Sequence, residues 1–183
     1  MYYFLSASLP GLALGRDPGM SVADFDELCA GQMTPGALAR LKQGSLRVGR
    51  EPGSAAGLPP VYAAYARFEQ YLRTRIAERR AGRDEERAVH LPDPELYFGE
   101  VDAAMGALAA VSDPVEREKA VDRIRWRMLD LGSGHEFDFD GLCVYRLRLE
   151  ILNRYRGRSV EKGRSNFNAA VDRIAGGAAS GNE

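Results

Sequence analysis

Residues 137–158, FDFDGLCVYRLRLEILNRYRGR, constrain the fold more than any other stretch of this chain. Read as a helix, they place Leu142, Tyr145, Leu149 and Leu152 on one face and Cys143, Val144, Leu147, Ile151 and Tyr155 on a second, broad one. Only a stripe through Arg146, Glu150 and Asn153 reads as wet, with Arg146–Glu150 and Glu150–Arg154 at i,i+4 spacing. A helix that is apolar around most of its circumference has neighbours on several sides, so it is expected at the centre of a bundle. Asp138 is expected as its N-cap, with Phe137 and Leu142 placed for a hydrophobic staple. Arg148 falls in the apolar sector, and a buried guanidinium there needs a carboxylate partner, because an unpaired buried charge is costly. The acidic segment around Glu100 and Asp102 is the expected source, with snorkelling to the surface as the alternative.

The rest of the chain also reads as helices. Tyr2 to Leu9 is short and uniformly apolar, is closed by Pro10-Gly11, and is expected as an extended, buried segment. Ser21 with Asp24 makes a capping box for a short helix that turns Phe25, Leu28 and Cys29 inward. Thr34-Pro35 starts another, leading to Leu38 and Leu41. Residues 43–60, QGSLRVGREPGSAAGLPP, read as a Gly/Pro-rich linker or mobile loop. A long helix from about Val61 to Arg80 carries a narrow stripe, Val61, Tyr65, Phe68, Leu72 and Ile76, and is expected to leave the core beyond Ile76. An Ala-rich helix spans roughly Leu96 to Val111, with Val101, Met105 and Leu108 inward. Pro114 opens the next, whose core stripe is read as Val121, Ile124, Met128 and Leu131, with Trp126 nearly opposite. Ser159 caps a last helix, and residues 175–183 have nothing to bury.

The expected fold is therefore all-α: a multi-helix bundle around a central buried helix, with one long arginine-rich helix extending from it. Residues 1–42 pack on the core, 43–60 link, 61–174 form the helical domain and 175–183 are a disordered tail. A chain of 183 residues can build such a core, and its net charge of -1 argues for neither nucleic acid nor an anionic membrane. Charge is segregated, however. Residues 92–116 carry six carboxylates and no Lys or Arg, residues 142–164 carry seven basic residues against Glu150 and Glu161, and the two segments are expected to complement each other. Cys29 and Cys143 read as buried free thiols in a reducing compartment. No run approaches a membrane span, and the apolar opening lacks the cationic start of a signal peptide, so the expected location is the cytoplasm.

No stretch carries a strong catalytic signature. His135, Glu136, Asp138 and Asp140 crowd one loop, but a capped loop-to-helix junction accounts for the aspartates better than a cation site does. Gly132-Ser-Gly134 reads as a helix stop rather than a phosphate turn. His90 stands alone. Glu100 and Asp102, at i,i+2, point apart. The basic run Arg67, Arg73, Arg75, Arg79, Arg80, Arg83 and Arg87 is interleaved with Glu69, Glu78, Glu85 and Glu86, which favours a solvated helix over a phosphate-binding one. No catalytic, cofactor-binding or metal-ligating residue is assigned, and no cofactor is expected.

Several stretches together resemble a known bacterial family of uncharacterised proteins. These are YYFLSASLPGLALG with MSVADFDELC, YARFEQYLRTRIAERRAGRD, RIRWRMLDL, FDFDGLCVYRLRLEILNRY and EKGRSNFNAAVDRI. That family is encoded beside genes for V-type ATPases and is similar to the V-type ATPase component of type C, a helical socket between the central stalk and the membrane rotor ring. This chain resembles a shortened member, since only residues 43–60 stand where members carry a long helical region. The resemblance implies a non-catalytic assembly or stalk-associated component. Its partners would be V-type ATPase subunits, with no direct nucleic-acid contact, and the membrane would be reached only through the complex. The alternative is a nucleic-acid-binding or regulatory module using the arginine-rich helix. On the first reading the expected partner contacts are the end of the arginine-rich helix, Arg79, Arg80 and Arg83, and the Trp126–Leu129 surface. Burial of Trp126 under another helix of the same domain is the competing expectation.

Overall fold

The computed structural model describes residues 2–49, 56–82, 97–131 and 137–156, together with Asn168, Ala169 and Val171. The fold is all-α. Its helices among the described residues are α1 (Tyr3–Ser8), α2 (Val22–Ala30), α3 (Pro35–Leu41), α4 (Pro60–Ala81), α5 (Gly99–Ala110), α6 (Pro114–Leu131) and α7 (Phe139–Asn153). The chain divides into Met1–Asn153, which holds all seven, and Arg154–Glu183. In the second unit Asn168, Ala169 and Val171 are helical, and most of the last expected helix and all of the tail lie outside the described residues.

α7 packs against α2, α4 and α6, and Cys143, Leu147, Leu149 and Ile151 on it are fully buried. Its start is capped as the sequence implies, with the Gly141 N–H donating to Asp138 Oδ1 at 2.9 Å. Phe137, just before the cap, lies against Tyr3, with ring centroids 4.9 Å apart. The capping box of Ser21 and Asp24 and the Thr34 cap before Pro35 are both formed.

α4 is a second central helix, touching α5, α6 and α7. The narrow stripe read from its sequence understates its burial, because Tyr62, Ala66, Glu69, Tyr71 and Thr74 are buried as well. Tyrosines can be buried on supposedly wet faces when their hydroxyls find partners. Tyr62 donates to the Leu41 carbonyl at 2.7 Å and Tyr71 to Asp102 Oδ2 at 2.7 Å.

Two further expectations are corrected. Residues 3–8 form a helix rather than an extended segment. A six-residue helix begins to satisfy its own backbone, with Ser6 N–H donating to the Tyr2 carbonyl at 2.9 Å, and it needs to bury only Leu5. Phe4 is 85% exposed. In α6 the inward face is centred on Asp122 and Leu129, while Val121, Ile124 and Met128 lie on its flank and Leu131 is 67% exposed. An ion network described below sets that rotation, and it outweighs the aliphatic stripe.

Candidate functional site

At the α4–α6 contact sits a carboxylate with no exposure to solvent, Glu69. Arg125 of α6 grips it with two nitrogens: Nη2 donates to Oε1 at 2.7 Å and Nε to Oε2 at 2.9 Å. Arg73, one turn further along α4, donates from Nε to the same Oε1 at 2.8 Å. Arg125 Nη1 also donates to Asp122 Oδ1 at 2.7 Å. The Tyr65 hydroxyl reaches Glu69 Oε2 at 3.5 Å. Forked guanidinium–carboxylate pairs of this kind compensate the desolvation of both ions. Burial on its own depresses the Arg125 guanidinium, but the bonds and charge of Glu69 outweigh it, so the net shift is upward. Burial, followed by the Glu69 charge, pushes the Tyr65 phenol up. Each carboxylate and guanidinium in this network is bonded to an opposite partner, and the Tyr65 hydroxyl lies beside Glu69. The network can lock helices together, and it offers no free base or nucleophile.

Residues 43–49, expected as the start of a linker, are tied down as a strap over α4. The two terminal nitrogens of Arg73 donate to the Val48 carbonyl at 2.9 Å and the Leu46 carbonyl at 3.2 Å. From α7, Glu150 accepts the Leu46 N–H at 3.2 Å and the Ser45 hydroxyl at 3.5 Å. Leu46 is buried. Gly44 lies against Tyr62, where any Cβ would overlap the ring. Under the strap is a small cavity of about 130 Å³, bordered by Ser45, Val48, Leu58, Tyr62, Tyr65 and Ala66.

The buried arginine of α7 is Arg146, which the sequence placed on the wet stripe. Its guanidinium pairs with Asp26 of α2 through Nε–Oδ1 at 2.9 Å and Nη2–Oδ2 at 3.1 Å, and Nη1 donates to the Gly44 carbonyl. Its side chain is 10% exposed. That of Arg148 is 21% exposed and pairs with Asp130 of α6, whose side chain is 53% exposed. Arg148 therefore has a carboxylate partner, but it is Asp130 rather than Glu100 or Asp102. The reason is adjacency: α6 packs on α7, whereas Asp102 is held on α4 by Arg75 Nε at 2.6 Å and by Tyr71. Thus Asp102 and Glu116 of the acidic segment pair with Arg75 and Lys119, and Arg146 and Arg148 of the basic segment pair with Asp26 and Asp130.

Trp126 is half-buried against the core, with the Arg148 guanidinium 5.3 Å from its ring centre. Arg79 and Arg80 are exposed on the last turn of α4. Arg83, Arg87, His90, Gly132, Gly134, His135 and Glu136 lie outside the described residues. Among the described residues no cluster of three or more His, Cys, Asp or Glu forms a metal-binding group, and no helix is long and apolar enough to cross a membrane. An exposed aromatic group, Tyr3, Phe4 and Phe137, joins the starts of α1 and α7. The Glu69 network escaped the sequence reading. The Glu69–Arg73 spacing of i,i+4 was its one visible signal, and nothing local points to Arg125.

No curated protein and no solved structure matches the chain. A family model does match, over residues 68–178, a span running from the middle of α4 past α7 and including Glu69, Arg73, Asp122 and Arg125. The chain belongs to the family described as Protein of unknown function (DUF2764).

Proposed function

We propose that this protein is a non-catalytic, assembly or stalk-associated component of a bacterial V-type ATPase, cytoplasmic and brought to the membrane only through that complex. The observation that carries the reading is the far end of α4. The helix is buried through Leu72 and Thr74, then continues to Ala81 with Arg79 and Arg80 exposed on its last turn. A helix extended past its own core presents a surface, and arginine is among the residue types most often found as interface anchors. The resemblance to proteins encoded beside genes for V-type ATPases supplies the partner class. Protein contact is favoured over nucleic acid because Arg73 and Arg75 of the basic run are already engaged. Arg73 is held by Glu69 and the strap, and Arg75 by Asp102 and Glu78.

Charge reversal at Arg79, Arg80 and Arg83 is expected to abolish co-purification with V-type ATPase subunits while leaving Tm nearly unchanged. Retention of the triple variant at the wild-type level would remove the proposed contact. A wild-type protein that never co-purifies with such subunits would remove the assignment itself.

A further inference from the structure

Glu69 joins α6 directly to the strap, two elements otherwise linked through α7, which packs on α6 and holds the strap through Glu150 and Arg146. Its Oε1 accepts Arg125 Nη2 from α6 at 2.7 Å and Arg73 Nε at 2.8 Å, and Arg73 is the side chain that holds the strap carbonyls. With α6 seated, Arg125 supplies both Glu69 oxygens with donors, so Arg73 gives only Nε to the carboxylate and keeps both terminal nitrogens for Leu46 and Val48. If α6 is displaced, a carboxylate with no solvent exposure loses two charge-assisted bonds at once. The nearest cation able to compensate it is Arg73. Turning the Arg73 fork onto Glu69 gives up the strap, and admitting water to Glu69 instead exposes the same arginine from beneath. Either response loosens residues 43–49 over the cavity beside Tyr62 and Tyr65.

We propose that α6 and the strap form a coupled pair, so that displacing α6 releases the strap and opens the cavity beneath it, and fixing the strap seats α6. The shared group is the Glu69 carboxylate. Such coupling must be reciprocal. It is independent of the V-type ATPase reading.

Amide hydrogen exchange on the full chain tests this from both ends. The reporters on the strap are the N–H groups of Leu46, bonded to Glu150, and Arg47, bonded to Ser45 Oγ. The control is α2, whose link to the strap runs through Arg146, which holds both Asp26 and the Gly44 carbonyl, and not through Glu69. In Arg125→Met the Leu46 and Arg47 amides are expected to exchange about tenfold faster or more, with α2 amides much less affected. In Arg73→Leu the amides of α6 around residues 122–129 are expected to accelerate likewise. Arg125→Lys, which keeps the charge but not the fork, is expected to fall between wild type and Arg125→Met, and it provides the reading if the methionine variant does not fold. Strap amides that accelerate no more than those of α2 in the Arg125 variants, or α6 amides that ignore Arg73→Leu, would overturn the coupling.

Discussion

Replacing Arg146 by leucine is expected to destabilise the protein far more than the same change at Arg148, two residues away on the same helix. Arg146 and Asp26 have side chains only 10% and 14% exposed, and they share two hydrogen bonds. Removing the arginine leaves a largely buried carboxylate without its cation and the Gly44 carbonyl without its donor. Breaking a buried pair from one side costs about 3–5 kcal/mol. The residual exposure of both partners argues for the lower end, about 3 kcal/mol. At Arg148 the partner Asp130 is more than half exposed, so the ion pair contributes up to about 1 kcal/mol and the Trp126 contact about 0.5–1 kcal/mol more. For a chain of this size those figures correspond to Tm losses of about 6–12 °C and about 1–8 °C. Urea denaturation of both variants and the parent, compared at a common m-value, is the direct assay. Replacing both members of the pair, Arg146→Leu with Asp26→Leu, should recover much of the loss, because no buried charge is then left alone. Equal costs for the two single variants, or a larger one at Arg148, would refute the assignment of Arg146 as the buried ion.

Gly44→Ala is expected to cost about 1–3 kcal/mol through overlap with the Tyr62 ring, read as a lower urea midpoint, and most of that cost should vanish in a Tyr62→Leu background. Burial pushes the Cys29 thiol up to about 11 and the Cys143 thiol to about 12, so neither should react with a thiol reagent until the chain is denatured. These raised values also set the sign of the alkaline response. The folded state holds its thiol protons more tightly than the unfolded one, so this stability is complete below the ordinary thiol range, near 9.0, and is lost as pH rises toward 11–12. Denaturation midpoints that stay level or rise between pH 8 and 11 would contradict it.

Much of the fold is legible in local chemistry. The all-round apolar surface of residues 139–153 requires a helix with neighbours on several sides, and α7 has three. Ser21 with Asp24, Thr34 with Pro35, and Asp138 mark helix starts because each supplies acceptors for otherwise unpaired N–H groups at a helix beginning. Val101, Met105 and Leu108 lie inward because α5 has little else to bury. The exposed Arg79 and Arg80 follow from the stripe running out after Ile76.

What the sequence did not determine are the outcomes that depend on distant partners. Whether Arg146 or Arg148 is buried depends on Asp26 arriving from α2, 120 residues away in sequence, and a helical wheel contains no such information. The rotation of α6 is set by Arg125 meeting Glu69, 56 residues distant, because an uncompensated buried carboxylate costs more than leaving Leu131 in solvent. Residues 43–49 read as loose because Gly and Ser have no periodicity, yet their backbone groups are held by side chains from α4 and α7. Apolar periodicity is local and additive, so the order of residues along one chain reveals it. A buried ion is stable only as part of a pair, and the pairing is decided by tertiary structure.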